Sequence, residues 1–208
     1  MPSSLAKNKL EIMVATHSCM LPIGTEAPIF ELEDVCSGKI VKLQKNEESK
    51  GYLVAFICNH SPFVINLLHH LPVQLNKFLN EGIEIFAISS NDVDKYPQDS
   101  PAEMKKVSIE HQFGFPYLFD KSQQVATSYT AACTPDFFLF DGNFKLFYRG
   151  RYDASRPGST EPVTGKDLLG AIRCLLSGST APENQLPSIG CNIKWRPDRE
   201  PNYFTRKP

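Results

Sequence analysis

The sequence predicts an α/β domain in which a central mixed sheet is flanked by helices on both faces. Three observations predict it: two apolar runs of strand length with no polar alternation, a long segment between them with apolar residues at helical spacing, and a later pair of short runs joined by Asp-Gly. A strand buried on both faces loses its alternation, and the strand-helix-strand order makes a crossover unit with parallel strands. The hairpin adds antiparallel members.

The elements follow in order. Residues 39–43 (KIVKL) alternate as a short strand, and residues 51–57 (GYLVAFI) form the first buried strand. From Pro62 to Leu79 the apolar positions Phe63, Leu67, Leu71, Leu75 and Phe78 describe a helix, with Pro72 placing a kink or break inside it. Residues 83–89 (IEIFAIS) are the second buried strand. Ser100, Pro101 and Glu103 read as N-cap, N1 and N3 of a capping box, so a helix starts at Pro101 and runs to about Phe113. Asp120 and Gln123 repeat that logic for a short helix to about Tyr129. Residues 137–140 and 144–149 pair as a hairpin whose Asp141-Gly142-Asn143 link supplies positive φ angles, and Thr164 caps a last helix over residues 165–176.

The chain of 208 residues carries a formal net charge of −1 and no run of Lys or Arg, so nothing attracts nucleic acid or an anionic membrane surface. No segment approaches the roughly 20 apolar residues that span a bilayer. Residues 7–23 are partly apolar but are interrupted by Glu11, His17 and Pro22, without the pattern of a cleaved signal, and Met13 offers an alternative start. The expected organisation is an N-terminal extension over residues 1–20, the domain over 21–176, and an extended tail over 177–208. Ile189, Cys191, Ile193 and Trp195 alternate in that tail, which predicts that it packs back on the domain.

Six cysteines are scattered at positions 19, 36, 58, 133, 174 and 191, which fits a reducing compartment, the cytoplasm, rather than a disulfide framework or a structural zinc site. Cys58 stands out because it ends a buried strand and precedes a helix, where ligands meet the carboxyl edge of an α/β sheet. A thiolate there is expected to have a lowered pKa and to be nucleophilic. The competing reading is a small buried hydrophobe.

Longer motifs sharpen this. Cys58-Asn59-His60-Ser61-Pro62-Phe63, Ser90-Asn91-Asp92, Tyr96-Pro97-Gln98-Asp99-Ser100-Pro101, Phe115-Pro116-Tyr117-Leu118-Phe119-Asp120, Cys133-Thr134-Pro135-Asp136, Tyr148-Arg149-Gly150-Arg151 and Pro187-Ser188-Ile189-Gly190-Cys191 follow one another in order. Over roughly residues 21–195 the chain resembles thioredoxin-like proteins of the alkyl hydroperoxide reductase C/thiol-specific antioxidant (AhpC/TSA) class, and within it a peroxiredoxin-like subgroup reading C-N-H-C-P-[YF].

That resemblance implies a thioredoxin-like fold, a cis Pro135 facing Cys58, and a thiol oxidoreductase without organic cofactor or metal. Its reactants would be a thiol or disulfide substrate, a peroxide, or a reductant such as thioredoxin or glutathione. One departure matters: Ser61 replaces the second cysteine of the C-x-x-C motif, and a hydroxyl does not exchange with thiols. Ser61 and Pro62 also read as N-cap and N1 of the helix. Chemistry would then be monothiol at Cys58, with Cys133 the first and Cys191 the second candidate for an interacting thiol, and His60 a candidate base. Arg149 or Arg151 would supply positive charge near the thiol, whereas His69-His70 lack metal-ligand spacing. The threonine expected three residues before a peroxidatic cysteine is Ala55 here, which lowers peroxide reduction relative to thiol-disulfide exchange. Retention of Cys58 favours an enzyme; loss of the partner cysteine favours a redox-inactive binding module.

Overall fold

The computed structural model describes residues 15–204; Met13 and half of the segment weighed as a signal lie outside the described residues. The strands are β1 (Ala15–His17), β2 (Glu31–Asp34), β3 (Ile40–Lys42), β4 (Gly51–Phe56), β5 (Ile83–Ser89), β6 (Tyr117–Phe119), β7 (Cys133–Thr134), β8 (Asp136–Asp141), β9 (Leu146–Gly150) and β10 (Ile189–Asn192). The α-helices are α1 (Pro62–Ile65), α2 (Leu71–Leu79), α3 (Pro101–Glu110), α4 (Gln124–Ser128) and α5 (Lys166–Leu176).

Seven strands form the main sheet in the order β3-β2-β6-β5-β4-β8-β9. β4 is parallel to β5 in register Gly51↔Ile83 to Phe56↔Ile88, and antiparallel to β8 on its other side. The mixed sheet flanked by helices is thus the one expected. Along β4 the side chains alternate between two cores. Leu53 and Ala55 join Val64, Leu71, Leu75, Leu168 and Ile172 of the helices and Leu67 of the turn between α1 and α2, whereas Tyr52, Val54 and Phe56 join Phe30, Tyr129, Ile193 and Trp195. A continuous apolar strand is required because both faces are covered.

The tail contributes to that second core and also builds a smaller sheet of order β1-β10-β7, with Cys191 opposite Thr134 in an antiparallel pair. Gly190 lets the two strands approach, because a Cβ there would run into the Thr134 carbonyl.

Several local expectations are corrected. The helix over residues 62–79 is two helices, and Pro72 lies in the first turn of α2 rather than at the break, where its missing N–H costs nothing. Ser100 has the extended backbone of an N-cap but makes no side-chain cap, and Glu103 turns to Lys106 at 2.6 Å, so the capping box does not form; α3 ends at Glu110. Gln123, at φ 63°, precedes α4, while Asp120 accepts from the Ala126 N–H at 3.0 Å. The hairpin places the positive φ, 61°, at Phe144 and not at Gly142, with Asp141 Oδ1 accepting from Asn143 and Lys145 N–H. The last helix is preceded by Gly165 instead of Thr164, its entry held by Asp153, whose Oδ2 accepts from both amides at 2.7 Å.

Candidate functional site

Cys58 follows β4 at the carboxyl edge of the sheet, and only 1 % of it is exposed. Its sulfur lies 3.1 Å from Thr134 Oγ1 and accepts a hydrogen bond from the Ser61 amide. The Thr134–Pro135 peptide is cis, which carries the chain past Cys58 and into β8.

Ser61 occupies the N-cap position of α1, yet its hydroxyl caps nothing. It points across to β7 and β10, reaching the Thr134 carbonyl at 3.1 Å and the Cys191 sulfur at 2.9 Å. The capping role expected for this hydroxyl is therefore replaced by a tertiary contact.

His60 Nδ1 and Asp99 Oδ2 are 2.6 Å apart, and the imidazole stacks on Tyr96 at an interplanar angle of 4°. Asp99 is fully buried and also accepts from the Asn59 amide at 2.8 Å and from Asn91 Nδ2 at 2.7 Å. One atom each of Cys58, His60 and Asp99 lie within 4.8 Å of one another. Those are ligand types for a transition metal, but a cation would have to displace the thiol proton and open the His60–Asp99 bond. As it stands the trio is a thiol beside an oriented imidazole–carboxylate pair, the arrangement that serves proton transfer. Sequence reasoning gave Asp99 no role; the signal available for it was a carboxylate inside a motif that accompanies the Cys58 segment.

A family model described as the AhpC/TSA family matches residues 23–149, more than half of the chain. The chain belongs to the AhpC/TSA family. It is 47% identical to an uncharacterized conserved protein from Geobacillus kaustophilus, with 89% of this chain and 98% of that one covered and a TM-score of 0.86. A hypothetical protein from Sinorhizobium meliloti 1021 is 41% identical, with 88% and 99% covered and a TM-score of 0.85. The thioredoxin domain of a thiol-disulfide oxidoreductase from Bacteroides vulgatus, 22% identical over 62% of this chain and 89% of that one at a TM-score of 0.52, shares the fold. No curated protein matches.

Within this AhpC/TSA chain a threonine hydroxyl does meet the thiol, but it comes from Thr134 across the site instead of from position 55. Neither arginine does what was expected. Arg149 is buried with Nη1 donating to the Leu21 carbonyl at 3.0 Å, and Arg151 pairs with Asp167 at 2.6 Å. Cys133 turns its sulfur toward the Pro135 carbonyl at 3.6 Å, so Cys191 and not Cys133 is the cysteine joined to this cluster. His70 bonds Tyr152 and His69 packs edge-on to His111.

The expected lowering of the Cys58 pKa is overturned. Burial pushes the thiol up to about 12, and the Asp99 charge adds to it, while the Thr134 hydroxyl and the Ser61 amide act the other way. Four-residue α1 is too short to offset the loss of water. Alkylation of Cys58 by iodoacetamide should therefore climb roughly tenfold per pH unit from 7 to 10 without a plateau. Asp99→Asn, which removes the opposing charge, should raise the rate at fixed pH, as read by mass mapping of each cysteine. A plateau near the reference of about 8.5 would contradict burial as the main cause of the raised pKa.

Proposed function

We propose that this chain is a thiol-dependent oxidoreductase that reduces a hydroperoxide at Cys58. The observation that carries the reading is the buried thiol held beside the His60–Asp99 pair. A cysteine that is 1 % exposed admits a two-oxygen oxidant more readily than a protein disulfide, and the β7 edge next to it is already paired with β10. Family membership supports thiol chemistry of this class.

The Cys58 sulfur attacks one peroxide oxygen; the O–O bond breaks, Cys58 becomes a sulfenic acid, and an alcohol or water leaves. Because the resting group is a thiol, its proton must depart as the S–O bond forms. We assign its acceptance to His60, which Asp99 holds through Nδ1 and which shares the cluster with Cys58. Two equivalents of an external thiol return the sulfenic acid to the thiol. Six free cysteines favour a reducing compartment such as the cytoplasm.

A second reading, a redox-inactive thioredoxin-like binding module, is favoured by the raised Cys58 pKa. Stoichiometric hydrogen peroxide followed by dimedone and peptide mass mapping separates the two. An oxidised Cys58, with peroxide consumption lost in Cys58→Ser and slowed at least tenfold in His60→Ala, supports the enzyme. A Cys58 that stays reduced while the partly exposed Cys19, Cys36 and Cys174 oxidise leaves the binding module.

A further inference from the structure

β7 contains only Cys133 and Thr134, so their side chains point to opposite faces. The Thr134 side chain faces the Cys58 sulfur at 3.1 Å, which sends Cys133 away from it. Cys191 is directly opposite Thr134 on β10, and side chains paired in this way share a face. The tail thus delivers a second thiol to the Cys58 side of β7.

Ser61 joins the two sulfurs. Its amide donates to Cys58 Sγ, and its hydroxyl is 2.9 Å from Cys191 Sγ. The Phe63 amide, in the same turn, donates to Cys191 Sγ. The serine that removes the second cysteine of the C-x-x-C motif therefore touches a cysteine supplied from 130 residues further along the chain. Both cysteines are buried, so a thiol already beside an oxidised Cys58 has the advantage over an external one.

We propose that Cys191 is the resolving thiol of this chain, forming an intramolecular disulfide with oxidised Cys58 once the Ser61 side chain turns aside. The proposal rests on the oxidoreductase reading and supplies the step that reading leaves to an external thiol. The Cys191 sulfur attacks the sulfenic sulfur of Cys58; the S–S bond forms, the S–O bond breaks, and the hydroxyl leaves as water with the Cys191 thiol proton. A dithiol reductant then takes up the disulfide, its own two thiols being oxidised as Cys58 and Cys191 are restored.

The test is one equivalent of hydrogen peroxide added to the full chain, quenched in acid and digested without reductant. The expected result is a species lighter by two hydrogens in which the Cys58 and Cys191 peptides are joined, in the wild type and in Cys133→Ser alike. In Cys191→Ser that species disappears, and dimedone capture of the Cys58 sulfenic acid rises roughly tenfold. If Cys58 is oxidised while Cys191 remains alkylatable, or if Cys58 joins Cys133 or a second chain, the proposal fails and the oxidoreductase reading stands. A Cys58 that resists peroxide overturns both. The wild-type map decides without any variant, so a poorly folding Cys191→Ser does not blunt it.

Discussion

Replacing Gly190 with valine is expected to detach β10 from β7 and to expose Cys191. The Cβ of any residue at this position would collide with the backbone carbonyl of Thr134 and crowd the Pro135 nitrogen at 3.1 Å, and neither is the end of a flexible side chain that could give way. The strand must move instead. With it go the Cys191 contact to Ser61 and the burial of Ile193 and Trp195 against Phe30, Phe56 and their neighbours. Overpacking of this kind costs roughly 2–3 kcal/mol, enough to lower a urea midpoint visibly. In the native variant Cys191 should become alkylatable at neutral pH while Cys133, held within the domain, stays protected. If the midpoint and the protection of Cys191 both match the wild type, β10 does not depend on the glycine.

This expectation also shows what the sequence could and could not reveal. The Pro187 to Cys191 motif and the alternation through Trp195 pointed to a packed tail, and Gly190 is explained once its neighbour is known. The neighbour itself was out of reach, because a two-residue strand such as β7 has no periodicity to read. The three-residue β6 was missed for the same reason, whereas β4 and β5, apolar at nearly every position, were found almost to the residue. Capping was misread where a longer-range partner won: Ser61 chose Thr134 and Cys191, and Asp120 reached past its own turn to Ala126 and Ser90.

The candidate site was half legible. Cys58, His60 and Ser61 are adjacent in sequence, and Pro135 came with the family resemblance. Asp99, 41 positions beyond Cys58, enters only through folding, and Cys191, 133 positions beyond it and the second candidate from sequence, moves ahead of Cys133 only through folding. The direction of the Cys58 pKa was misjudged because position at a strand end suggests stabilisation of a thiolate, while burial and a facing carboxylate decide otherwise.

A buried carboxyl behind the site carries the second large effect. Asp136, next to Pro135, is fully buried; its Oδ1 has no hydrogen-bond partner among the described residues, and burial raises its pKa to about 8 although the Ala132 amide and Arg149 oppose the shift. Burial likewise lowers Arg149 to about 10 against the pull of Asp136. The sign follows from proton counting. Above about pH 4 the unfolded chain has released the Asp136 proton that the folded chain keeps, so stability falls as pH rises until the folded carboxyl ionises near 8. The slope approaches 1.4 kcal/mol per pH unit at its steepest.

Asp34 and Asp153 do not produce this slope. Against burial, hydrogen bonds from Ser37 and from Ser155 hold their carboxyls below the ordinary range, so their contribution is lost only as pH falls through that lower range. Between pH 5 and 8 the wild type should lose roughly 2–4 kcal/mol more than Asp136→Asn, which cannot release a proton there. Asparagine mimics the protonated acid in size, and the variant retains the same histidines, so the difference between the two profiles isolates this one group. Urea unfolding at pH 5 and pH 8 measures it. Parallel profiles would mean that Arg149 holds Asp136 ionised throughout, and the pair behind Pro135 would then be a true buried ion pair rather than a neutral acid beside a guanidinium.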